Sequence, residues 1–274
     1  MSFRHRLSQI KALAHRAYLT AQGEDLTSPV IFFHVPKCGG TSVKAAILNR
    51  LGLLDYLRGR YFTLDAHASR ESAEILGTKM RKLREHVLAY EVNCPPKPVF
   101  VTGHFIYSRP IHSKLSEEYT AVTIIRDPVQ RFLSQFFYNK NKSTQDHFGI
   151  GASIDEYLNS ERAKGTGRLM TSYFAGNEAL NDDAFTVDEL VERAIQNIRR
   201  FDVVGILEDL KQFERVFARA TGTDLQIAHH RKNPTDQSEK DEVLTEERIE
   251  RIKVLCAPDI RLYKAVRSDL QSIH

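Results

Sequence analysis

The sequence predicts an α/β fold of three layers, with a central, mostly parallel sheet flanked by helices. Three observations predict it. Short runs at residues 31–33, 98–102, 121–125 and 201–207 are apolar almost throughout and rich in Val, Ile and Phe, as strands buried on both faces are. Between them lie stretches with apolar residues at helical spacing, the alternation that builds βαβ units. The first three runs are followed by Pro, Gly, Lys, His or Arg, at the carboxyl strand ends where open α/β sheets hold ligands.

The elements follow in chain order. Residues 1–28 are expected to form an N-terminal helical extension, with Phe3, Leu7, Ile10, Leu13, Ala14 and Ala17 on one face. Arg4, Arg6, Lys11 and Arg16 against Glu24 and Asp25 make this segment basic. A basic amphipathic helix can lie on an anionic membrane. The narrow, alanine-containing face favours packing on its own domain or on a second copy of the chain. Residues 29–274 are expected to form one domain, a size consistent with a single sizeable core.

Residues 31–42, IFFHVPKCGGTS, run from strand to turn to helix. Pro36 has no N–H to continue a ladder. Gly39 and Gly40 permit a tight turn and close approach of a ligand. Thr41 and Ser42 stand where the next helix should start, over residues 43–51. A helix start offers free N–H groups and a positive dipole end to an anion, and Lys37 adds a full charge. The backbone and side chains of Lys37, Cys38, Gly39, Gly40, Thr41 and Ser42 are therefore candidate phosphate contacts. The ATP/GTP loop G-x-x-x-x-G-K-[ST] places its lysine after the glycines, whereas Lys37 precedes them, so the cradle is P-loop-like without being that loop.

One charged helical stretch is expected between Asp65 and Tyr90, with a break at residues 94–98. The strand at 98–102 ends in Gly103-His104. The strand at 121–125 ends in Arg126, and Asp127-Pro128 then start a helix, Asp as N-cap and Pro as first helical residue. Ser134 lies two turns beyond Arg126. An Arg at this point matches phosphate oxygens with a two-pronged fork. Residues 165–176, GTGRLMTSYFAG, read as a cleft-lining segment or as a loop with a structural Arg168. A helix over 187–199, a strand over 201–207 followed by Glu208, a helix over 210–221 and closing helices over 245–270, split at Pro258, complete the chain. Glu208 is expected to cap or to pair with a nearby basic residue. Arg231 and Lys232, in a basic loop after Gly222, are further candidates for phosphate contact.

Composition narrows the function classes. The net charge of +4 is too small to argue for nucleic acid. No run approaches the ~18 apolar residues of a membrane span, and no signal peptide is visible. Cys38, Cys94 and Cys256 are odd in number and lack metal-ligand spacing, which suits a reducing, cytoplasmic setting.

Two strings carry a resemblance. HVPKCGGTS resembles the 5′-phosphosulfate loop, and IRDPVQRFLS the 3′-phosphate motif, of carbohydrate sulfotransferases of the heparan sulfate 2-O/6-O group. Cys38 departs from that pattern, in which Thr is frequent. The resemblance spans about residues 29–267 and implies a single sulfotransferase domain using 3′-phosphoadenosine 5′-phosphosulfate (PAPS). It implies that Lys37 and the glycine turn hold the 5′ end, and that Arg126 and Ser134 hold the 3′-phosphate. It also implies that His104 is the general base for an acceptor hydroxyl, with His34 as rival, and that no metal is needed. The expected partners are the nucleotide donor and a glycan acceptor. The competing expectations are a nucleotide-dependent kinase and a non-catalytic nucleotide- or glycan-binding module.

Overall fold

A computed structural model describes residues 3–141, 153–181, 185–228 and 244–272. Its sheet has five strands, β1 (Val30–Phe33), β2 (Tyr61–Thr63), β3 (Phe100–Gly103), β4 (Thr120–Ile125) and β5 (Val203–Ile206), in the order β2-β3-β1-β4-β5. Every pairing is parallel. β1 is central, and its four residues are at most 2% exposed, which is why it reads as an uninterrupted apolar run.

The chain opens with α1 (Phe3–Gln22). Its C-terminal half packs on the body of the protein: Leu19 is buried, and Arg16 donates to the Leu48 carbonyl at 3.0 Å beneath the ring of Tyr56. After β1 comes α2 (Gly40–Asn49), then α3 (Leu53–Leu57) and β2. The expected single helix between Asp65 and Tyr90 is two, α4 (Ala66–Ile75) and α5 (Met80–Glu91). Gly77 adopts φ 58 and ends α4, a left-handed stop that costs glycine little. Beyond β3 lie α6 (Arg109–Leu115), β4 and α7 (Pro128–Lys140). Asp127 caps α7 by accepting from the Gln130 N–H at 2.9 Å, with Pro128 in its first turn, as expected.

Residues 165–176, read as a cleft-lining segment or loop, are mostly helical: α8 (Ile154–Leu158) leads into α9 (Glu161–Gly167) and α10 (Leu169–Ala175). The glycines there serve packing: a Cβ on Gly167 would lie 2.3 Å from the Leu255 carbonyl oxygen. The chain closes with α11 (Val187–Ile198), β5, α12 (Leu210–Thr221), α13 (Glu246–Leu255) and α14 (Ala257–Gln271). The main core surrounds the sheet, and a second apolar cluster joins α7, α8, α9 and α13 through Phe132, Phe136, Tyr157, Ala163 and Ile252. Among the described residues, no helix is long and apolar enough to cross a membrane.

Truncating a central strand residue has a calculable cost. Phe32→Ala removes a fully buried ring and is expected to lower unfolding free energy by about 3–5 kcal/mol, measured by urea denaturation.

Candidate active site

The carboxyl ends of β1, β3, β4 and β5 converge on one edge of the sheet. Beyond β1, His34, Val35, Pro36, Lys37 and Cys38 form the turn into α2, whose first residue is Gly40, one position earlier than Thr41. Gly39 precedes the helix at φ 77 and supplies no side-chain cap; the Ser42 N–H turns back to the Gly39 carbonyl at 3.0 Å, which leaves the N–H groups of Gly40 and Thr41 as the helix-start donors for an anion. Gly39 is favoured by its left-handed backbone and Gly40 by the ring packed against it. A Cβ on Gly39 would lie 2.4 Å from Leu207 Cδ1, and one on Gly40 would lie 2.1 Å from His34 Cδ2. Gly40→Ala must displace the His34 ring, and a loss of about 1–3 kcal/mol is expected in thermal or chemical denaturation.

Lys37 also lies in the left-handed region, at φ 67. That conformation costs a residue with a Cβ roughly 1–2 kcal/mol. Its ammonium sits 3.8 Å from the centroid of the Tyr138 ring, on α7. Cys38 points the other way. Its side chain is fully buried and its N–H turns back toward the Val35 carbonyl at 3.4 Å. Burial pushes the thiol up to about 12, against the pull of Arg131 and Arg126, so it stays protonated and acts as packing under the turn.

β3 delivers His104 beside this turn. The Nδ1 atom lies 2.6 Å from the His34 carbonyl oxygen. A carbonyl only accepts, so Nδ1 carries the proton and Nε2 keeps its lone pair. The strand register holds the arrangement: Phe33 pairs with Gly103, and the His34 N–H donates to the Gly103 carbonyl at 2.9 Å. From α5, Arg84 donates to the His104 carbonyl at 3.4 Å and to Ser69 Oγ at 3.0 Å. Burial lowers the His104 pKa, opposed by the His34 carbonyl and reinforced by Arg84 and Lys44. The neighbouring His34 ring, 4.5 Å away between centroids, is driven to about 3 by burial, His104 and Lys44. So weak a base accepts a proton poorly near neutral pH, which leaves His104 the better proton acceptor of the two.

At the end of β4, the Arg126 Nη1 atom donates to the Lys37 carbonyl at 3.4 Å, so the two expected phosphate sites adjoin. Its Nε is buried without a hydrogen bond, 3.9 Å from Glu208 Oε1. Glu208, at the end of β5, also accepts from the Asp127 N–H at 3.2 and 3.3 Å and from the Tyr263 hydroxyl at 3.3 Å. Burial and the Glu208 carboxylate push the Tyr263 phenol up to about 12, so it remains a donor. Ser134 is half-buried on α7, one turn before Tyr138. The described residues thus bring together Lys37, Gly39, Gly40, Thr41, Ser42, His104, Arg126 and Ser134 at one edge. Arg231 and Lys232 lie outside the described residues.

The profile described as Sulfotransferase family matches residues 25–264. The chain belongs to the sulfotransferase family. No curated protein matches it. The five-stranded parallel sheet flanked by helices accords with the P-loop-like fold of that family, and its reaction class is sulfuryl transfer.

Three neighbours of the site residues carry no signal in the sequence: Tyr138, Lys44 and Arg84 stand at helical positions where nothing in the local pattern singles them out. Beneath the site, Arg131 is fully buried on α7 and donates to the Thr166 carbonyl. Asp259, also fully buried, accepts from the Met170 and Thr171 N–H groups at 3.0 and 2.7 Å and so caps α10. Burial raises its pKa to about 6, with Arg131 and these N–H groups opposing.

Proposed function

We propose that this chain is a PAPS-dependent O-sulfotransferase acting on a carbohydrate hydroxyl. The observation that carries the reading is the contact between Arg126 and the Lys37 carbonyl, which joins a 5′-phosphate turn to a guanidinium suited to a second phosphate. The donor set fits such a nucleotide. The start of α2 has no side-chain cap, and Arg126 has a buried Nε without an acceptor. PAPS, when bound, supplies an activated sulfuryl group on its 5′-phosphate.

The residues then divide the work. Lys37, the N–H groups of Gly40 and Thr41 and the hydroxyls of Thr41 and Ser42 bind the 5′ end and offset the charge that grows on the bridging oxygen. Arg126 and Ser134 fix the 3′-phosphate. His104 takes the acceptor's proton on Nε2 as the acceptor oxygen bonds to sulfur and the bond from sulfur to the phosphate oxygen breaks. The products are the sulfate ester and 3′-phosphoadenosine 5′-phosphate (PAP). As in phosphoryl transfer, the protein acts through position and electrostatics. The carbohydrate acceptor rests on the likeness of HVPKCGGTS and Gly103-His104 to the heparan sulfate 2-O/6-O group.

Calorimetric titration with PAP, AMP, ATP and GTP tests the nucleotide. PAP is expected to bind most tightly; preference for ATP would favour a kinase. Arg126→Ala should weaken PAP about 10- to 100-fold, the worth of charge-assisted hydrogen bonds, while AMP changes little. Equal weakening of both would remove Arg126 from 3′-phosphate recognition.

A further inference from the structure

We propose that Tyr138 is a positioning residue for Lys37, its ring face holding the ammonium across the mouth of the phosphate turn. The inference rests on the sulfuryl-transfer reading and extends it to a residue outside both phosphate strings. Its first support is backbone conformation. Position 37 sits at φ 67, where glycine would be at ease, and Gly39 occupies the same region at φ 77. A lysine kept in a glycine conformation points to a use for its side chain.

The second support is where that side chain goes. Lys37 Nζ lies 3.8 Å from the Tyr138 ring centroid, within the range in which a ring quadrupole attracts a cation. Tyr138 follows Ser134 by one helical turn, so the same face of α7 presents both. The third support is the opposite end of the residue, where the Lys37 carbonyl accepts from Arg126. Lys37 is therefore held at its carbonyl from the end of β4 and at its ammonium from α7. A lysine stem is flexible, and confining it before reaction removes an ordering cost from the barrier. The hydroxyl of Tyr138 has no part in this; the ring face does.

The test is a double-mutant cycle read by release of PAP from radiolabelled PAPS under saturating donor. Unsulfated glycosaminoglycan chains serve as acceptors, and water is the default acceptor. Tyr138 is 45% exposed, so Tyr138→Leu should fold, and a melting curve checks that it does. Tyr138→Leu is expected to lower kcat about 3- to 30-fold, the range of a cation–π contact, with PAP affinity changed less than about twofold. Tyr138→Phe should restore the wild-type rate, because the ring is kept. In a Lys37→Ala background, Tyr138→Leu should cost nothing further, since the two residues act as one unit.

A wild-type rate in Tyr138→Leu would overturn the inference, as would a loss that adds fully to that of Lys37→Ala or one that Phe fails to rescue. A wild-type protein that binds PAP but releases none from PAPS with any acceptor overturns the sulfuryl-transfer reading itself. The two failures are thus distinguishable.

Discussion

Lys37→Ala is expected to lower the rate of sulfuryl transfer at saturating PAPS about 100- to 1,000-fold, the cost of removing one preorganised charge from a developing oxyanion. The structure indicates why the loss should fall on kcat. The α2 N-terminus and Arg126 remain in the variant, so the nucleotide keeps most of its ground-state contacts. Lys37 adopts an unfavourable backbone conformation at φ 67 and directs its ammonium toward Tyr138, an expense that binding alone would not require. Removing a Cβ-bearing side chain does not relieve that strain, because Ala has a Cβ too; Lys37→Gly does. Lys37→Gly is therefore expected to be more stable than Lys37→Ala yet equally slow. Steady-state kinetics with calorimetric PAP binding separates the two effects. Near-normal kcat in either variant would exclude a role for the ammonium in transfer.

His104→Ala should cost about 100- to 10,000-fold in kcat, the range for loss of a general base, with PAP affinity preserved. The pH dependence supplies the sharper sign. His104 works as a base only when neutral, and the Nδ1 bond to the His34 carbonyl leaves Nε2 free for the proton. Burial, Arg84 and Lys44 favour the neutral ring more than the His34 carbonyl opposes it. The acid limb of kcat/KM should therefore lie below the ordinary histidine value of about 6.5. Activity is held as pH falls toward that limb and is lost as pH passes through the depressed pKa. The residual activity of His104→Ala should lack this limb. A limb of unchanged position in the variant would assign the titration to another group, and a loss confined to acceptor KM would make His104 a substrate contact.

Stability should change with pH for a different reason. His34 titrates at about 3 in the folded chain and near 6.5 unfolded. The unfolded state therefore binds more protons between those values, and stability falls as pH drops through that window. Asp259, raised to about 6, acts in the opposite sense and regains stability as pH drops from about 6 toward 4. His34→Gln should remove the His34 share of the acid-side loss and leave the share of His104, whose pKa burial also lowers, and the Asp259 contribution; urea denaturation at several pH values measures it.

Local pattern carried much of the fold and only part of the site. β1, β3, β4 and β5 were legible because strands buried on both faces must be apolar at nearly every position. The start of α7 was legible because Asp127-Pro128 is a local cap. β2 was not: Tyr61 and Phe62 are half-buried, Thr63 is exposed, and the strand lies at the sheet edge, so no run of apolar residues marks it. The helices over 161–175 hid behind Gly165, Gly167 and Arg168, since only the distant Leu255 backbone explains why Gly167 is small. At the site, strand-end residues Lys37, His104 and Arg126 stood out by type and position. So did Glu208, expected to cap or to pair with a basic residue, and it lies 3.9 Å from Arg126 and accepts from the Asp127 N–H at the end of the neighbouring strand. Asp259, which caps α10 from α14, did not, because that contact is set by topology and invisible to spacing.

The most direct test of the account is transfer of radiolabelled sulfuryl from PAPS to a panel of unsulfated glycans, with His104→Ala run in parallel. The account predicts labelled glycan and stoichiometric PAP from the wild-type chain, with both sharply reduced in the variant. Tight PAP binding by a wild-type chain that labels no glycan and releases no PAP would contradict it and leave a nucleotide-binding module on a sulfotransferase fold.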